Sequence, residues 1–172
     1  MTTSIHTETE YGVMVVINGS GILITGEAGI GKSSLALALI SEGHQLVADD
    51  VVELNKEENH LYATCPAMLK GLLNTRELGT INIESVFGDD QLLDSSEINY
   101  HLVLSNVQPS EVELEGQKSH SSILGVTVPK LVLTLNNPAS ISIRLNAWLD
   151  MQQANDDADT LLKRRQQQQM QQ

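Results

Sequence analysis

Cysteine is almost missing from this 172-residue chain: Cys65 is the one residue of its kind, so no intramolecular disulfide can form. That excludes the small secreted scaffolds held together by disulfides. With Pro66 beside it and no base close in sequence, Cys65 reads as a buried, inert thiol rather than a nucleophile. Basic residues are also scarce. Ten Lys and Arg against 22 Asp and Glu leave a formal charge of −12, a surface that repels nucleic acid and anionic membrane, so neither is expected as a partner. No apolar run approaches the roughly 20 residues needed to cross a bilayer. The N-terminus has no basic stretch followed by an apolar core, so no signal peptide is expected and the expected location is cytoplasmic.

What the chain does have is Gly26-Glu27-Ala28-Gly29-Ile30-Gly31-Lys32-Ser33. It follows the apolar run Ile22 to Thr25 and leads through Ser34 into Leu35 to Ile40, in the order strand, glycine loop, helix. Every fixed position of the P-loop pattern G-x-x-x-x-G-K-[ST] is filled. Three glycines let several backbone N–H groups converge on one anion-sized hollow. The helix starts where the loop ends, so its unpaired amides and positive dipole end face the phosphates. Lys32 supplies a mobile charge for the outer phosphates, and the Ser33 hydroxyl is placed for Mg²⁺. A nucleotide-phosphate site over residues 26–34 follows. His6, His60, His101 and His120 lack metal-ligand spacing, so no metal is expected beyond Mg²⁺ carried with the nucleotide.

Around this loop the chain reads as one α/β domain, a mixed sheet with few helices, over residues 11–150. Residues 1–10 are expected to be frayed, and 151–172, rich in glutamine, to form a solvated helix or a disordered tail. Val13 to Ile17 and the strand before the loop form a hairpin about Asn18-Gly19. The helix of residues 32–42 stops at Gly43. Leu46-Val47-Ala48 lead to Asp49 and Asp50, on a strand expected beside the P-loop strand, where carboxyl ends meet ligands. Adjacent strand residues face opposite ways, so the two aspartates are expected to differ in role. Further expectations are a returning strand at 60–64, a short helix at 67–73 after Pro66, a loop at 74–79, and strands at 80–83, 98–104, 131–135 and 141–145.

At this point the residues resemble bacterial HPr kinase/phosphorylase. The resemblance rests on Gly21 to Ser33, on Gly43 to Asp50 (Gly-His-Gln-Leu-Val-Ala-Asp-Asp), on Gly71 to Gly79 and on Leu124 to Leu131. It runs from about residue 11 to 147 and looks like the family's catalytic domain in a short form without the separate N-terminal domain. The resemblance implies a Mg²⁺- and ATP-dependent serine kinase acting on HPr, the phosphocarrier of the sugar phosphotransferase system, and so regulating carbohydrate metabolism. It also implies the reverse transfer to inorganic phosphate. Carried over, Lys32 and the loop amides hold phosphate and Ser33 binds Mg²⁺. Asp49 is the general base, Asp50 assists the metal, and Arg76 is a retained active-site cation.

Several positions depart from the family pattern. Asn74 stands where the family has an acidic metal ligand, and Tyr11 where it has a histidine. Val112 to Gly116 lacks the arginine of an Asp-Arg-Leu-Gly loop, and Pro138-Ala139-Ser140 lacks a Gly-Arg-Asn segment. An amide at 74 coordinates Mg²⁺ without adding charge, which lowers metal affinity. Without the loop arginine, phosphorylase activity is not expected. Three readings stand: a serine kinase of this type, a degenerate ATP-binding regulatory module with little or no transfer, and a P-loop kinase for a small metabolite. The sequence does not fix an oligomeric state.

Overall fold

The computed structural model describes residues 7–107, 119–154 and 157–171. The chain divides into two compact units, Met1–Asn137 and Pro138–Gln172. The boundary falls inside the 11–150 span expected for one domain.

In the first unit, the first strand is Thr7–Tyr11 (β1), exposed at every position. Most of it covers residues expected to be frayed. Apolar burial does not hold it; backbone pairing does, antiparallel to the strand Val51–Glu57 with Glu8 opposite Leu54. Next come Val13–Ile17 (β2) and Ser20–Gly26 (β3), an antiparallel hairpin turning through Asn18 and Gly19 at φ of 50° and 83°. After the loop, Lys32–Ser41 forms the helix α1. Gly43, at φ 97°, ends it as expected and turns the chain into Gln45–Ala48 (β4). Asp49 and Asp50 form a bend, and Val51–Glu57 (β5) pairs with His60–Thr64 (β6) across Glu58-Asn59.

The segment after Pro66 departs from expectation. Only Ala67–Leu69 makes a 3₁₀ turn; Gly71 at φ 77° ends it and Leu72–Thr75 (β7) starts at once. The expected loop is the tip of a hairpin whose second arm is Gly79–Asn82 (β8). Ile83–Phe87 is a short helix (α2), capped by the Asn82 side chain accepting from Ser85 N. Ser95–Glu97 (β9), Tyr100–Ser105 (β10), Ser119–Ile123 (β11) and Val126–Thr134 (β12) complete this unit.

β11, β12, β10, β3, β2 and β4 make a six-stranded mixed sheet in that order, and β1, β5, β6 and β9 a four-stranded sheet. One face of β2 and β3 (Met14, Val16, Leu23) packs with Val52, Leu54, Leu61 and Ala63 of the second sheet in one buried cluster. The opposite face, Val15, Ile22 and Ile24 among it, is equally buried, and α1 buries Leu35, Ala36, Leu39 and Ile40. Two covered faces explain why β2 and β3 are continuous apolar runs. Each fully buried Leu or Ile contributes about 1.5–3 kcal/mol, so the sheet under the P-loop is the best-stabilised part of this unit.

β4 does not lie beside β3, as the sequence suggested; β2 separates them, antiparallel to both. β3 and β4 therefore run the same way, and the Gly26 and Ala48 ends still open on one side of the sheet.

In the second unit, residues 141–145 are not a strand but the first part of Ile141–Gln153 (α3). The local alternation of Ile141, Ile143 and Leu145 misled. Ser140 caps the helix by accepting from Ile143 N at 3.2 Å, and the buried positions Ser142, Leu145 and Leu149 follow helical spacing. Ala158–Met170 (α4) is a helix exposed throughout its described residues. No helix among the described residues is long and apolar enough to cross a membrane.

Candidate active site

β3 ends at Gly26 and the loop folds back on itself, with Ile30 N donating to Glu27 O at 3.1 Å. Gly29 and Gly31 take φ of 79° and 115°, values that an L side chain resists. Gly31 occupies the helix N-cap and offers no side-chain cap, so the first-turn amides of α1 are left for a ligand. The first helical bond, Leu35 N to Gly31 O at 3.0 Å, starts just past them. Lys32 curls into the loop, its Nζ donating to Gly26 O (2.8 Å) and Glu27 O (3.1 Å).

The loop is one wall of a cleft of about 530 Å³. Asp49, four per cent exposed, sits at its base. Its Oδ1 accepts from Ser33 Oγ and its Oδ2 from Asn74 N, both at 2.8 Å. Burial pushes its carboxyl above the usual aspartate range, and the donors from Asn74, Ser33 and Asp50 only partly offset it. Asp50 is exposed at φ 69° and lines the same cleft. The two aspartates do differ, but through a turn with a left-handed residue, not through strand alternation. It is Asp49 that holds Ser33.

Arg76 comes from the β7–β8 tip, and its guanidinium lies against Gly29 so closely that a Cβ there would overlap it. A glycine at 29 is thus required twice, by φ and by Arg76. Asn74 is exposed and lines the cleft, as do Tyr11, Ala28 and Ser34. Glu27 is exposed on the loop, and Ile30 is buried beneath it. The expected site residues therefore come together on one side of the sheet. Val112 to Gly116 lies outside the described residues.

Sequence reasoning missed a polar chain under the loop. His101 on β10 is bonded through Nε2 to Thr25 Oγ1 (2.7 Å), just before Gly26, and through Nδ1 to Ser121 Oγ (2.6 Å) on β11. Burial, reinforced by Lys130, pulls its pKa down to about 4 and keeps the ring neutral. Nothing local in the sequence marks it, because its partners come from strands remote in the chain. Cys65 is half-buried, not fully buried as expected, and donates to Pro66 O at 3.4 Å; burial raises its pKa and so disfavours the thiolate.

The pattern of the HPr Serine kinase C-terminal domain matches residues 3–169. The chain belongs to the HPr serine kinase C-terminal domain family. It is 38% identical over 144 residues to the HPr kinase/phosphorylase of Bordetella avium, covering 82% of this chain and 47% of that protein. The HPr kinase/phosphorylase of Clostridium acetobutylicum is 36% identical over 139 residues, 80% of this chain and 46% of the relative. Among solved structures, the Hpr(Ser) kinase/phosphatase from Coxiella burnetii superposes with a TM-score of 0.74 at 33% identity, covering 84% of this chain and 93% of that one. The chain spans about half the length of the curated relatives it matches. Membership confirms the mixed α/β fold expected of the HPr serine kinase C-terminal domain and makes the chain a member of a kinase family.

Proposed function

We propose that this chain is an ATP-dependent protein serine kinase that transfers the γ-phosphoryl group of ATP to a serine of an HPr-type phosphocarrier, and so regulates carbohydrate metabolism. The observation that carries the reading is the Ser33–Asp49–Asn74 hydrogen-bonded set at the base of the P-loop cleft. Among the described residues no group of three or more His, Cys, Asp or Glu could hold a metal by itself. Mg²⁺ commonly takes one or two carboxylates and fills its sphere with phosphate and water. Ser33, Asp50 and the Asn74 amide are the residues that would hold it or its waters. Bound there with nucleotide, Mg²⁺ would neutralise charge on the β- and γ-phosphates.

The chain's own groups do the rest. Lys32 and the loop amides orient the phosphates, and Arg76, held against Gly29, adds charge where the transferring group develops it. Ser33 Oγ would be a ligand of the metal ion, and Asp49 Oδ1, which Ser33 holds at 2.8 Å, is the oxygen that would accept from the acceptor hydroxyl. The serine oxygen attacks the γ-phosphorus, the bond to the β-bridging oxygen breaks, ADP leaves, and the serine proton passes to Asp49. The raised pKa of Asp49 suits a base.

The second reading, an ATP-binding module with little or no transfer, draws support from Asn74, which brings an uncharged amide to the cleft. Intact-mass analysis of an HPr-type carrier after incubation with the chain and Mg-ATP separates the two. The kinase reading requires a phosphoryl mass gain that Lys32→Ala abolishes, with ATP binding lost or strongly weakened. ATP binding without any mass gain supports the module, and unchanged ATP affinity in Lys32→Ala overturns the P-loop assignment.

A further inference from the structure

We propose that the tip of the β7–β8 hairpin is the docking point for the acceptor, and that it selects a segment with Lys or Arg and an apolar residue beside the target serine. This rests on the kinase reading and adds to it the chemistry of the acceptor.

The tip is built to be rigid. Thr75 is seven per cent exposed, and its Oγ1 accepts from Leu78 N and donates to Gly79 O, both at 3.1 Å. Gly79 closes the turn at φ 73°. With the backbone fixed this way, the three tip side chains divide. Arg76 is committed to the phosphate loop at Gly29. Glu77 and Leu78 are left exposed on the lining of the cleft, Leu78 at 67%.

A single exposed leucine is ordinary. This one stands on a locked turn beside a cleft, in company with Tyr11, 74% exposed on the same lining, and the exposed carboxylate of Glu77. Lys32 and Arg76 lie against the phosphate loop and suit the polyanion. Glu77 repels phosphate, so it is no aid to nucleotide binding, but it attracts a cation. Apolar contact and a carboxylate on one rigid tip fit a polypeptide whose serine is flanked by a basic and an apolar side chain. The net charge of −12 draws the same partner from a distance.

The test uses two synthetic serine peptides of one length, one with Lys, Arg and Leu around the serine and the other with Glu in place of the basic residues. Each is also made with alanine for the serine, to report binding without transfer. Steady-state transfer with Mg-ATP gives the acceptor KM, and fluorescence anisotropy of the alanine peptides gives Kd. The wild-type chain should favour the basic peptide. Glu77→Lys should raise its KM and Kd about tenfold and Leu78→Ala by several-fold, with Glu77→Gln intermediate, while the KM for ATP does not rise. Equal binding of both peptides, binding of neither, or variants that leave KM and Kd unaltered would overturn the docking role. Discrimination between alanine peptides with no transfer to any serine would keep the docking role and remove the kinase reading. Transfer indifferent to Glu77 and Leu78 would do the reverse.

Discussion

Asp49 is under two opposed pressures. Burial drives its carboxyl toward neutrality, while Asn74 N–H, Ser33 Oγ and the Asp50 amide favour the ion, and burial wins. Folded Asp49 thus binds a proton more tightly than an unfolded aspartate. Native stability falls as pH rises through its titration, and the deficit persists at neutral pH. An asparagine in its place can keep both contacts, its oxygen accepting from Asn74 N and its amide donating to Ser33. Asp49→Asn should therefore raise Tm at pH 7 and retain ATP binding, while transfer drops by about 100- to 10,000-fold. Calorimetry and the carrier mass assay check this; full transfer would sink the base role. His101 has the opposite sign. Its folded pKa of about 4 lies below 6.5, so the unfolded chain binds more protons between those values. Its stabilising contribution is complete above about pH 6.5 and is lost as pH falls toward 4, on the order of 2 kcal/mol after allowing for solvent screening of a half-buried ring. His101→Gln should flatten that slope in denaturant melts at pH 4.5 and 7, and an unchanged slope would show the ring does not titrate this way.

Among the elements, the P-loop and the β7–β8 hairpin meet directly at Arg76 on Gly29 and are joined again through Asp49, which holds both Ser33 and Asn74. Gly29→Ala should cost about 1–2 kcal/mol for the left-handed backbone, plus a further term for displacing Arg76. In an Arg76→Ala background only the backbone part should remain. Thermal melts of the four proteins in this cycle measure the difference, and an equal loss in both backgrounds would deny the contact. The same elements show what is legible in the sequence. β2, β3 and α1 are readable because both sheet faces are covered and Asn18-Gly19 and Gly43 mark the turns. β1 is not, since its five exposed polar residues carry no burial pattern and only pairing with β5 makes a strand of them. β8 is legible as the strand expected at 80–83, but β7 reads as the end of a helix and the start of a loop because Leu72 and Leu73 fit either period. The hairpin turn is set by Gly79 and by Thr75, whose role as a side-chain lock appears only once Leu78 folds back onto it. The loop residues of the site are legible from their pattern; Arg76 against Gly29, and β2 between β3 and β4, depend on tertiary packing that no local signal encodes.

For the whole molecule, the charge of −12 acts on both substrates at once and with opposite effect. Mg-ATP is an anion and must approach a negative protein to reach Lys32 and the loop amides. A serine segment flanked by Lys or Arg is drawn to the same surface. At about 10 mM ionic strength the Debye length is about 30 Å, long enough for distant carboxylates to act together; at about 150 mM it is about 8 Å and only the cleft's own charges count. Raising salt over that range should therefore lower the KM for Mg-ATP by relieving repulsion and raise the KM for a basic acceptor by screening attraction. Glu77→Lys should leave the ATP trend in place and weaken the acceptor trend, because it removes one local charge from a global field. Initial-rate kinetics at three salt concentrations, with each substrate varied in turn, decide it. Parallel movement of both KM values would mean that salt acts on the fold or the metal and not on encounter, and would take the long-range field out of the account of how this chain meets its partners.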